Sequence, residues 1–290
     1  MRLSDAFSEL RILRPMSHGG VSERIGFLRR RIAAIEARDG GVRRRVDSLA
    51  GYGPGVGDAW TPPGDDGGAL GEITPATGRV APAAAAFALA LALRMRHARG
   101  GGTLVWIVED MNAREFGLPY ARGLVAAGVD LARFVLIRTQ QPRETLWAME
   151  EALKSLACPT VVAESHLSPT FYSLSASRRL RLAAHRGGGL GLLLAQSRAT
   201  GGASAADWRI EIAASAGPPS RRAPLPTLAP DAFFRWRLRI LKARLGGSTM
   251  ATDPAQWRDL VFNPAEMAFH NALPEPAPAP SEHRPVAAMR

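Results

Sequence analysis

Residues 70–82 read Leu-Gly-Glu-Ile-Thr-Pro-Ala-Thr-Gly-Arg-Val-Ala-Pro, and residues 103–110 read Thr-Leu-Val-Trp-Ile-Val-Glu-Asp. Residues 70–74 form a short strand-like run, and 103–108 form a continuous apolar run of strand length. Between them, 83–99 predicts a helix. It is apolar nearly all round at its start, as a buried helix is. The alternation continues down the chain. Residues 114–127 predict a helix closed by Gly128, and 134–138 a strand. Residues 142–157 predict a helix with proline in its first turn and one stripe of Leu146, Met149, Leu153 and Leu156. A strand at 160–163 follows, then an arginine-studded helix at 175–186 stopped by three glycines, then a strand at 190–195. Unbroken apolar strands alternating with helices predict an α/β fold with a mostly parallel central sheet flanked by helices.

Beyond residue 195 the pattern changes. Trp208, Ile210 and Ile212 alternate with Arg209 and Glu211; Trp236, Leu238 and Ile240 alternate with Arg235, Arg237 and Arg239. Period-two alternation predicts half-exposed antiparallel strands at one edge. A proline-rich loop at 217–230 separates them. Upstream, 22–38 predicts an amphipathic helix with Ser22 as N-cap and Ile25, Leu28, Ile32 and Ile35 on one face. Arg24, Arg29, Arg30, Arg31 and Arg38 make it basic. The expected organisation is an N-terminal helical extension at 1–50, a Gly/Pro-rich linker at 51–68 and a core at 69–215. An edge-strand extension at 216–270 and a disordered, Pro/Ala-rich tail at 271–290 complete it.

The 290 residues allow one core plus extensions. Hydrophobic residues at 46% and charged residues at 22% exclude a wholly disordered chain. The net charge is +11, and of 37 basic residues only Lys154 and Lys242 are lysines. Such a charge attracts polyanions, but an arginine-rich, solvated surface accounts for it equally well. The single cysteine, Cys158, excludes an internal disulfide and a cysteine-rich zinc site, and its place before an apolar run predicts burial. Arg11 and Arg14 interrupt any apolar leader, and the apolar run 81–93 is too short to cross a bilayer. A cytoplasmic protein without a membrane partner is expected.

The strand–loop–helix at 70–99 is where such a sheet would hold a nucleotide. A phosphate loop needs G-x-x-x-x-G-K-[ST], whose amides cradle phosphates, whose lysine neutralises them and whose hydroxyl holds magnesium. Here Thr77 and Gly78 are followed by Arg79 and Val80 in place of lysine and hydroxyl, and the first glycine is missing. Neither lysine of the chain follows a glycine. Arginine is not a free substitute for a compact ammonium. The six histidines show no metal-ligand spacing, and no nucleophile elbow is present. Glu109, Asp110 and Glu164 follow strands, where α/β enzymes place acids and metal ligands; polar loop ends are the plainer explanation. No cofactor is expected, ATP and magnesium included.

The order of these pieces resembles the core of the RecA recombinase superfamily over roughly residues 68–262. It is most similar to the inducible mutagenesis protein A (ImuA) family. The segments that carry the likeness are the strand 70–74 with the loop to Arg79 and the buried helix after it, 103–110, Tyr120-Ala121-Arg122-Gly123-Leu124, Gly128-Val129-Asp130, 134–138, 146–155 and 160–165. Residues 174–184, the strand ending Leu194-Ala195-Gln196-Ser197-Arg198, 208–212 and 236–244 also belong to it. The resemblance implies a RecA-like fold and a role in SOS-induced translesion synthesis. Its implied partners are an ImuB-like Y-family polymerase homologue, an error-prone DnaE-type polymerase and the RecA filament. By the same resemblance Gly78 and Arg79 match phosphate-holding positions. Glu109 or Asp110 falls near a water-activating glutamate, and Glu164 near a magnesium-orienting aspartate. Gln196 matches a nucleotide-sensing glutamine that opens a DNA-binding loop at 197–207, with Arg198 its phosphate contact. The missing lysine and hydroxyl deprive these carboxylates of a substrate.

The expected function is therefore a non-catalytic, RecA-like adaptor in mutagenic DNA repair. Arg29, Arg30 and Arg31 of the basic helix, and Arg235, Trp236, Arg237, Arg239 and Arg244, are its candidate contacts. An arginine row beside Trp236 would bind single-stranded DNA, pair with an acidic partner, or simply be solvated. The alternatives are a DNA-stimulated ATPase with an atypical phosphate loop and a cell-division inhibitor resembling SulA.

Overall fold

The computed structural model describes residues 11–13, 68–195, 202–215, 235–243, 256–264 and 266–271. Ten strands form one sheet: β1 (Arg11–Leu13), β2 (Ala69–Pro75), β3 (Leu104–Glu109), β4 (Phe134–Thr139), β5 (Thr160–Ser165), β6 (Leu190–Ala195), β7 (Trp208–Ala214), β8 (Arg235–Ala243), β9 (Arg258–Asn263) and β10 (Ala268–Asn271). Their order is β1-β4-β3-β5-β6-β2-β7-β8-β9-β10. The pairings from β1 to β7 are parallel; β8, β9 and β10 continue the sheet antiparallel. This is the expected α/β class, a mostly parallel sheet with antiparallel strands at one edge.

Helices cover both faces. One face carries α1 (Ala81–Ala98), entered through a 3-10 turn at Gly78–Val80, and the short helices α2 (Asp110–Phe116) and α3 (Ala121–Ala126). The other carries α4 (Pro142–Leu153) and α5 (Leu174–Gly187). The buried faces of β3, β5 and β6 alternate between these two cores, which is why their sequences are apolar without a break. By length and composition Gly78–Ala98 could cross a membrane, a longer stretch than 81–93. Here its Phe87, Leu91 and Met95 are buried against the sheet. Phe87 meets Trp236 edge-on at 5.2 Å and Phe269 at 5.3 Å, so β8 and β10 close the core over the start of α1.

Two glycines make close approaches possible. A Cβ on Gly71 of β2 would lie 2.0 Å from the Trp208 ring, which fills that space from β7. A Cβ on Gly187 would lie 1.9 Å from the Leu153 carbonyl oxygen, where the end of α5 abuts the end of α4.

Several sequence expectations are corrected. The helix expected at 114–127 is two helices, α2 and α3. Gly117 adopts φ 85° and Pro119 follows, and together they break the run. The helix expected at 142–157 ends at Leu153, and Leu156 is exposed rather than part of its buried stripe. The strand at 208–212 is not a half-exposed antiparallel edge. It runs parallel to β2 and is buried on both faces, because Arg209 and Glu211 are enclosed in ion pairs. Its alternation mimicked exposure. The strand at 235–243 is antiparallel and half-exposed as expected. Strands β1, β9 and β10 were not foreseen. Cys158 is buried. The basic helix 22–38, with Arg29, Arg30 and Arg31, lies outside the described residues, as do 51–67 and 272–290.

Candidate functional site

Because β2, β3 and β5 are parallel, their C-terminal ends share one rim of the sheet. Thr77, Gly78 and Arg79 stand there exposed and line an open groove of about 670 Å³ with Glu115 and Phe116 of α2. The backbone of this loop is largely committed. The Ala76 amide donates to the Ile212 carbonyl, that of Val80 to Thr77 and that of Ala81 to Gly78. Pro75 and Pro82 have no N–H. At most the amides of Thr77, Gly78 and Arg79 remain, against the continuous row that a phosphate cradle presents.

The three carboxylates singled out from sequence do cluster at this rim, but each is held internally. Glu109, buried at the end of β3, accepts from the Ser165 hydroxyl at 2.5 Å and the His166 amide at 2.9 Å. Asp110 accepts from Arg138 Nη2 at 2.6 Å and Nε at 3.0 Å. Glu164 is buried beneath α2, accepting from Trp106 Nε1 at 2.5 Å and Asn112 Nδ2 at 2.8 Å. Burial pushes its carboxyl up to about 7, against the pull of those two donors. The groove's own carboxylate is Glu115, whose Oε2 lies 3.0 Å from His166 Nε2. Phe116 stacks on the same imidazole, with ring centroids 6.3 Å apart. Among the described residues no group of three His, Cys, Asp or Glu is placed to hold a metal ion.

A second polar region lies on the sheet face opposite α1, across β2, β7, β8 and β9. Glu72 accepts from the Tyr172 hydroxyl at 2.6 Å, from Ser204 and from Arg209 Nε. Burial of the Tyr172 phenol, and then the Glu72 charge beside it, hold it well above its ordinary range. Glu211 accepts from Arg239. Towards the edge, Arg239 and Arg237 lie over the Trp257 ring, 4.9 Å and 5.7 Å from its centroid, and Arg237 Nε is 3.8 Å from Asp259. Arg235 shares this face and has no ion pair among the described residues.

The arginine row is therefore real, but its aromatic companion is Trp257, which sequence reasoning missed. Trp236 points the other way, buried, its Nε1 donating to the Ala83 carbonyl at 2.8 Å. Period two alone sends Trp236 to the face opposite Arg235 and Arg237, and that signal was present in the sequence. Trp257 precedes a strand that was not foreseen, so nothing placed it beside the row. Gln196 and Arg198, and Arg244, lie outside the described residues. Of the loop expected at 197–207, residues 202–207 are described and pinned: Arg209 and Lys242 donate to the Gly202 and Ser204 carbonyls, and Asp207 accepts from the Leu70 amide and Arg181.

No family model matches the chain. Two curated relatives do: Protein ImuA from two strains of Caulobacter vibrioides, NA1000/CB15N and ATCC 19089, each 34% identical over 159 residues. The match covers 51% of this chain and 58% of each relative, so the chain spans little more than half the length of the curated relatives it matches. A solved structure, SulA from Pseudomonas aeruginosa, aligns with TM-score 0.35 and 20% identity, over 44% of this chain and 98% of that one. Over about half its length, the chain is a homologue of the curated ImuA proteins.

Proposed function

We propose that the chain is a non-catalytic, RecA-like adaptor of the SOS DNA-damage response, serving mutagenic translesion synthesis by docking partner proteins. The observation that carries this reading is the state of the loop after β2. Arg79 and Val80 follow Gly78 where a phosphate loop has its lysine and hydroxyl, and the amides of Ala76, Val80 and Ala81 are already bonded. The carboxylates that would serve a nucleotide are instead bonded to Ser165, Arg138, Trp106 and Asn112. The similarity to Protein ImuA supports the mutagenesis role. The partners proposed are an ImuB-like Y-family polymerase homologue and an error-prone DnaE-type polymerase, with the RecA filament as a third.

The test is co-purification of the full chain with a tagged Y-family-like polymerase homologue from the same organism. The adaptor reading expects a stable complex without nucleotide; failure to co-purify at full length counts against it. Deleting 231–290 is a poor mapping variant, because Trp236, Phe262 and Phe269 are fully buried in the core. Substitution of exposed residues is the sound route. A second reading, direct binding of single-stranded DNA, is favoured by one observation: Arg237 and Arg239 lie over Trp257, and Arg237 is exposed among the described residues.

A further inference from the structure

The outer surface of α2 and α3 is both apolar and basic. Met111 and Tyr120 are each 59% exposed, and Leu118 is exposed between them in the joint that Gly117 and Pro119 make. The inner sides of the same helices are buried: Asn112 beneath α2, Ala121 and Leu124 beneath α3. Arg114 stands three residues from Met111 on α2, and Arg122 is the second residue of α3, which Tyr120 precedes. Arg79 joins this surface across the groove it shares with Glu115 and Phe116. Arg79, Arg114 and Arg122 are exposed and have no ion pair among the described residues. Of the two acids nearby, Asp110 is paired with Arg138, and Glu115 lies 3.0 Å from His166 Nε2, a charge pair only when that imidazole is protonated.

We infer that this surface docks an acidic segment of a partner protein, one that places apolar side chains on Met111, Leu118 and Tyr120 and carboxylates on Arg79, Arg114 and Arg122. Exposed large apolar side chains on two successive short helices and the joint between them mark an interaction site, and charge complementarity selects the occupant. The chain's own amphipathic stretch 22–38 is a poor occupant, because its five arginines would meet three more. A second copy is disfavoured by the net charge of +11 on each chain. An acidic partner segment satisfies both halves of the surface. The inference rests on the partner-docking reading and gives it an address separate from the arginine row on β8.

The experiment is a selection of short random peptides displayed on phage against the full chain, followed by fluorescence anisotropy with the enriched peptides synthesised and labelled. Enriched sequences should combine aspartate or glutamate with large apolar residues. Their affinity should fall at least about tenfold for R79E/R114E/R122E, as like-charge contacts replace attraction. It should fall comparably for M111S/Y120S. All five side chains are exposed, so both variants should keep the wild-type melting temperature. Peptides bound equally well by both variants but lost on R235A/R237A would overturn this surface and leave the docking reading intact. Absence of acidic, apolar enrichment on the wild-type chain would overturn it as well. So would self-association in sedimentation that the triple variant abolishes, since the occupant would then be a second copy.

Discussion

Arg209 of β7 and Glu72 of β2 stand opposite one another in the parallel register, and the arginine Nε donates to the glutamate carboxylate where Tyr172 and Ser204 also bond it. Both side chains are buried. This pair lets β7 join the parallel sheet while carrying charge on its second face. Removing one partner leaves the other charge buried and uncompensated. Glu72→Ala is expected to cost about 3–5 kcal/mol in urea unfolding, whereas replacing both residues by apolar ones of similar volume should cost much less.

Gly71 and Trp208 form the neighbouring contact on the opposite face. Gly71→Ala drives a methyl group into the Trp208 ring. The expected loss is about 1–3 kcal/mol, as in other overpacked cores. The same change in a Trp208→Val background should cost less, and the double-mutant cycle should show that coupling directly.

Glu164 supplies a pH signature. Its carboxyl sits at about 7 in the folded chain against the usual 4.5, so between these values the folded state binds more protons than the unfolded one. Its contribution is fully present below pH 4.5 and is lost as pH rises through 7. At about 1.4 kcal/mol per pH unit, the stability of the wild type relative to Glu164→Gln should fall by about 3 kcal/mol across this window. Unfolding curves at several pH values check this; a pH-independent difference would show that Glu164 stays ionised.

The row on β8 is only partly free for DNA. Arg239 is engaged by Glu211, so its removal would leave a buried carboxylate unpaired. Arg235 and Arg237 are the sound probes. If they neutralise two phosphates of single-stranded DNA, Arg235→Ala with Arg237→Ala should lower the salt slope of log K by about 1.4. Trp257→Ala should weaken binding by about 1–3 kcal/mol if a base stacks there. Unchanged anisotropy titrations would assign the row to the fold alone.

The parallel core was legible because its strands are apolar on both faces and its helices are periodic. The edge was less so. Arg209 and Glu211 alternate with apolar residues just as an exposed strand would, and only the partners Glu72 and Arg239, distant in sequence, reveal that they are buried. The break at Gly117–Pro119 was written in turn chemistry but lay inside an otherwise helical run. At the site, that Arg79 and Val80 stand after Gly78 where a phosphate loop has lysine and a hydroxyl was plain from the sequence. The bonding of Ala76 to Ile212, and of Glu164 to Trp106 and Asn112, depends on strand order and could not be read from spacing.

The central claim, that the loop at Thr77–Arg79 no longer serves a nucleotide, is tested most directly by the melting temperature of the full chain with ATP and magnesium against magnesium alone, with and without single-stranded DNA. A ligand at a hundredfold over its Kd adds about 2.7 kcal/mol, on the order of 5–10 °C for a fold of this size. The account predicts no ATP-dependent change in either condition; a rise of that order would contradict it.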